Sequence, residues 1–113
     1  MQTGWLLCDG QVLAAADALD RFSDRAKGMA GHPGFDGALL LAPMKIAHSI
    51  GVAFPLDVAF CAADLRVLRT IHLERWRLSA PNWACHTVIE ARAGSFERWG
   101  LAPGDQLEFR PAT

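Results

Sequence analysis

Three side chains of proton-sharing type stand in or beside the apolar, strand-like runs of this sequence and invite attention: His48, Asp57 and Glu90. His48 and Ser49 stand just before a Gly- and Pro-marked turn at residues 51–55, and Asp57 stands just after it. An imidazole beside a carboxylate makes an acid–base pair, with the carboxylate fixing the ring tautomer. Ser49 would complete the residue types of a nucleophilic triad. Strand alternation, however, sends His48 and Ser49 to opposite faces, and no Gly-x-Ser-x-Gly elbow is present. Asp57 and Glu90, if they met, would form a carboxylate pair of the kind that hydrolyses glycosides.

Each of these groups also has a structural use. Asp57 can cap the 51–55 turn by accepting backbone N–H bonds. His48 can be a satisfied core histidine, and Glu90 can pair with Arg92 or with an arginine of residues 65–76. The histidines and cysteines (His32, His48, His72, His86, Cys61, Cys85) have no helix-face or knuckle spacing, so no metal site is expected. No phosphate-cradling glycine loop is present, and no cofactor is expected.

The elements that must position these groups are short. Asp9-Gly10 between two apolar runs reads as a hairpin turn. Leu19, Phe22, Ala26 and Met29 recur at helical spacing and predict an amphipathic helix of about three turns, closed by Gly31-His32-Pro33-Gly34. Strands are predicted at residues 38–41, 45–51, 56–62, 65–76, 86–91 and 106–110. Ser95 is placed to N-cap a short helix that Gly100 ends, with Phe96 and Trp99 packing together. Strands outnumber the helices that parallel crossovers would need. The expected fold is therefore mainly β with one amphipathic and one short helix: a jelly-roll-like antiparallel β-sandwich or a partly closed barrel.

The chain has 113 residues, one domain's worth, with no linker or repeat. Eleven basic and twelve acidic residues leave a net charge of -1, which removes any global electrostatic case for nucleic acid. The apolar runs are too short to span a bilayer. The first residues lack a basic segment followed by an apolar one, and the three cysteines show no Cys-x-x-Cys pair. A cytoplasmic protein with inert thiols is expected. Arg75-Trp76-Arg77 reads as a strand end with Trp76 packed and the arginines solvated, whereas Trp83 is the best candidate for an exposed aromatic.

The ordered pieces Arg25-Ala26-Lys27-Gly28-Met29, Gly37-Ala38-Leu39-Leu40-Leu41, His48-Ser49-Ile50-Gly51, Pro55-Leu56-Asp57-Val58-Ala59-Phe60, Val88-Ile89-Glu90 and Gly100-Leu101-Ala102-Pro103-Gly104-Asp105 carry a resemblance. Over residues 14–109 the chain resembles the domain-of-unknown-function family 192, small proteins of bacteria and archaea. The resemblance implies a jelly-roll-like β-sandwich with a helix and no established activity. It also marks two departures: Val52-Ala53 stands where many members have Met-Arg, and no export or lipid-anchor segment is visible.

The sequence thus points to a module that binds a small ligand or a protein partner without catalysis, in a polar pocket framed by His48, Ser49, Phe54, Asp57 and Glu90. One alternative is a small hydrolase-like enzyme using His48 and Asp57 with Glu90. Another is an accessory protein docking through a sheet edge or the Trp83 loop. A monomer or weak homodimer is expected.

Overall fold

Asp9 and Gly10 take φ of 53° and 78°, the pair of left-handed residues that a two-residue hairpin requires. They join β1 (Gln2–Cys8) to β2 (Gln11–Leu19), and the rest of the chain is built outward from this hairpin. A short α1 (Phe22–Lys27) and a 3-10 turn (Gly28–Gly31) lead to β3 (Ala38–Leu41). There follow β4 (Leu56–Cys61), β5 (Val67–Leu73), β6 (Thr87–Arg92), α2 (Ser95–Trp99) and β7 (Leu107–Pro111). The computed structural model describes residues 1–112.

The seven strands form one sheet in the order β5-β4-β6-β3-β2-β1-β7. The protein is mainly β, as expected, but not uniformly antiparallel: β2 and β3 run parallel, joined by the α1 crossover. Arg66 bridges Gln106, and Val67 N–H donates to the Asp105 carbonyl, so the outermost strands β5 and β7 touch at their beginnings. The sheet therefore curls on itself while its edges stay largely unpaired.

Strand alternation divides the apolar residues between two clusters. The inner cluster holds Leu6, Leu40, Ala59, Ile89, Ala91, Leu101 and Phe96, with α2 across one end. The outer cluster holds Leu39, Leu41, Leu56, Val58, Phe60 and Val88, covered by Met29 of the 3-10 turn and by Ala47 and Val52 of the long β3–β4 connection. The sheet is thus buried on both faces around β3, β4 and β6, whose residues are almost all buried.

Three elements differ from the sequence expectation. The first helix is six residues, not three turns. Leu19 belongs to β2, Phe22 points to solvent at 77% exposure, and Gly28 takes φ 52°, which ends the α-helix and turns Met29 inward. Residues 45–51 do not form a strand and make a single bridge, His48 to Leu78. There the Ser49 hydroxyl, not a partner strand, accepts the Arg77 N–H and donates to the Glu74 carbonyl. The strand predicted over residues 65–76 is only Val67–Leu73, because Leu65 (φ 69°) and Trp76 (φ 59°) both take left-handed backbone and break the pleat.

Candidate functional site

Asp57 lies on β4 between Leu56 and Val58, so its side chain takes the opposite face from theirs and turns inward. Its Oδ2 accepts the N–H groups of Gly94 (2.9 Å) and Phe96 (3.0 Å), the first turn of α2. Those N–H groups have no partner within so short a helix, and a carboxylate also complements the positive helix end. Asp57 is therefore a helix cap supplied from a distant strand. It replaces Ser95, which the sequence assigned to this task and which makes no cap bond. The 51–55 turn expected to receive Asp57 gets no bond from it.

His48 sits on the outer side. Its Nε2 faces the Ala26 carbonyl and its Nδ1 accepts the Ile50 N–H at 3.1 Å. That arrangement assigns the proton to Nε2, which donates to α1. Both ring nitrogens are thus engaged with backbone. His48 and Asp57 lie on opposite faces of the sheet and share no hydrogen bond, so the structure does not bring the pair together. Ser49 is fully buried and its hydroxyl serves residues 74–77, away from the His48 ring.

Glu90 is 2% exposed and shares the outer face with Val88. Neither Arg92 nor a β5 arginine pairs with it. Its Oε1 accepts the Met29 N–H at 3.1 Å, where Gly28 leaves no side chain in the way. Burial pushes the carboxyl up to about 7, against the pull of the Met29 N–H, which favours the ionised form. Glu90 and Asp57 face opposite sides of the sheet, so they do not form a carboxylate pair.

Phe54 lies under the Arg92 guanidinium, 4.0 Å from ring centroid to Cζ, a cation–π contact. The space between Met29, Val52 and Phe54 is about 70 Å³, well below the volume of an ordinary ligand site. Four of the five predicted residues (His48, Ser49, Phe54 and Glu90) therefore share the outer layer, and Asp57 does not. The three polar ones among these four all bind backbone.

The thiols add no nucleophile. Burial pushes Cys61 up to about 12 and also raises Cys85 and Cys8, which keeps all three protonated near neutrality. No cluster of three metal-ligating side chains exists among the described residues.

Sequence reasoning missed two places. The first is a cavity of about 410 Å³ lined by the start of β1, the ends of β2 and β3, the start of β6 and the middle of β7, with Ala63 and Leu65 of the β4–β5 connection, away from α2. Leu40, Leu65 and Phe109 make its apolar floor, buried Thr87 contributes a hydroxyl, and Gln2 and Asp20 stand at the rim. The second is Trp76, which is exposed rather than packed. The left-handed φ of Trp76 leaves no trace in residue type, and a cavity formed by five elements leaves none in local spacing.

With this geometry in hand, comparison gives the lineage. The family model described as an uncharacterised ACR, the domain-of-unknown-function family 192, matches residues 8–109. The chain belongs to this family. No curated protein matches it. Among solved structures it is similar to a protein of unknown function from Novosphingobium aromaticivorans, at 20% identity and a TM-score of 0.75, over 96% of this chain and 86% of that one. It is also similar to a candidate transcription regulator from Sinorhizobium meliloti, at 20% identity and a TM-score of 0.78, over 96% and 92%. At that identity the likeness is one of fold. For family 192, the pieces that carried the resemblance acquire physical roles here: Gly28-Met29 and Glu90 lock the outer layer, and Pro55-Leu56-Asp57 starts β4 and caps α2.

Proposed function

We propose that this family 192 protein is a non-catalytic binding module that takes a small, mainly apolar molecule in the cavity floored by Leu40, Leu65 and Phe109. The observation that carries the reading is this cavity. Its volume of about 410 Å³ falls in the range of small-molecule sites, and it opens at the mouth of a curled sheet, where such sites recur. The buried Thr87 hydroxyl, already paired with His86 Nδ1 at 3.2 Å, keeps an acceptor lone pair that supports one polar contact to a ligand. Catalysis finds less support, because His48, Ser49, Asp57 and Glu90 each hold backbone and supply no adjoining acid and base. In this reading those four are positioning residues. The free thiols Cys8, Cys61 and Cys85 support a reducing, cytoplasmic setting.

The test uses the neutral fluorophore N-phenyl-1-naphthylamine. Saturable fluorescence enhancement is expected with the native chain. Ala63→Trp, from an exposed position on the rim, should fill the mouth and weaken binding by about tenfold or more. Absence of saturable binding, or equal binding to the variant, would overturn the reading.

A further inference from the structure

The outer face carries a second hollow, of about 300 Å³, that shares no lining residue with the mouth cavity. Its floor is Phe60 and Ile71, from adjacent strands β4 and β5. One side is Arg69 of β5, and the other is Trp83 and Asn82 of the loop between residues 78 and 86. Arg69 makes no ion pair or side-chain hydrogen bond among the described residues, and no acidic side chain lines the hollow among them. Trp83 is 77% exposed.

A lone exposed tryptophan is ordinary, but this one is held in place. Lys45 Nζ donates to the carbonyls of Trp83 (3.1 Å) and Cys85 (2.6 Å). Asn82 N–H donates to the Lys45 carbonyl, and Asn82 Oδ1 accepts the Ala84 N–H at 3.2 Å. The Ser79 hydroxyl accepts the Ala47 N–H at 2.8 Å. Five hydrogen bonds therefore fix the loop that presents the indole. A fixed aromatic wall costs little ordering entropy when a ligand stacks on it. The Nδ2 amide of Asn82, a residue that lines the hollow, donates to no described residue.

The geometry points to a site for a small molecule with one flat ring and an anionic group, the ring stacked on Trp83 over Phe60 and Ile71 and the anion on the Arg69 guanidinium. The apolar floor and indole take the π-face, and the planar guanidinium takes a carboxylate or phosphate in two parallel hydrogen bonds. The volume suits one ring system and its substituent, at the lower end of ligand sites. The site stands whether or not the mouth cavity binds anything.

The shared chemistry has two sources, an aryl carboxylate and a mononucleotide, and the experiment separates them. The ¹⁵N-labelled chain is titrated with indole-3-acetate, with adenosine monophosphate, and with tryptamine, which keeps the ring and reverses the charge. Each titration follows the Trp83 indole N–H, assigned by its loss in Trp83→Phe. At least one of the two anions should shift that signal saturably, and the tighter of them names the anion. Tryptamine should bind about tenfold more weakly or not at all. Arg69→Gln, at an exposed position, should weaken the anion by about tenfold while leaving the indole signal of the free protein in place. No shift from either anion up to about 10 mM, tryptamine binding equal to the anions, or an unchanged affinity in Arg69→Gln would each overturn the assignment.

Discussion

Asp57 shows what a single carboxylate does in this molecule. It takes two N–H groups at the start of a five-residue helix that has no side-chain cap of its own. Asp57→Ala should therefore lower stability by about 1–2 kcal/mol, and Asp57→Asn, which keeps an acceptor, by less. Urea unfolding checks this through the midpoint at constant slope. Equal midpoints for the native chain and Asp57→Ala would remove the cap from the account. At this scale the sequence was half legible. Strand alternation marks Asp57 as set apart from Leu56 and Val58, and its residue type marks it as a cap. What it caps lies 37 residues away in the chain, a separation that no local pattern encodes. His48 is similar: its type suggested a partner carboxylate, yet both ring nitrogens found backbone of the crossover and its own turn.

Among the elements, the short crossover between β2 and β3 depends on one position. Gly28 has φ 52°, and a Cβ added there would come within 2.9 Å of Glu90 Oε1. At φ 52° and ψ -135° this backbone lies outside the left-handed helical well and costs an L-residue about 1–3 kcal/mol, and the contact adds to it because the carboxylate is enclosed and already bonded to Met29. Gly28→Ala should destabilise the protein by about 2–3 kcal/mol, seen as a lower thermal midpoint. The neighbouring Gly31→Ala, at ordinary φ and beside only the flexible Lys27 side chain, should cost far less. A comparable loss in both would mean that general helix chemistry, not the fit against Glu90, governs the segment. The helical periodicity of Leu19, Phe22, Ala26 and Met29 misled here because the sheet claims Leu19 and the glycine redirects Met29. Elements closed by local chemistry were legible: the Asp9-Gly10 hairpin, the strand Ala38–Leu41, and the helix ended by Gly100 at φ 67°. Strand ends set by left-handed Leu65 and Trp76 were not, since neither residue type announces that backbone.

For the whole molecule, two apolar clusters share one sheet, and the outer one is fastened through a buried acid. Glu90 lies in the middle of the sheet, paired with Leu39 on one side and Val58 on the other, under the 3-10 turn. Burial raises its carboxyl to about 7 in the folded chain, whereas in the unfolded chain it keeps an ordinary value near 4.5. Between those values the folded state binds the extra proton, so stability must fall as pH rises. The contribution is fully present below about pH 4.5, declines through neutrality, and is lost above about pH 7. A separation of that size corresponds to about 3 kcal/mol, a large part of the stability of a domain this small. Glu90→Gln keeps an oxygen to accept the Met29 N–H and cannot ionise. The variant should therefore be more stable than the native chain at pH 8 and close to it at pH 5, with the difference opening across the interval between. Urea midpoints measured from pH 5 to pH 8 check this. Parallel profiles for the two proteins would show that Glu90 is ionised in the folded chain throughout the interval, as it is in the unfolded one. The outer layer would then be held by an ionised Glu90 accepting the Met29 N–H together with the packing of Met29, Ala47 and Val52 on β4 and β6, and its fastening would not weaken between pH 5 and pH 8.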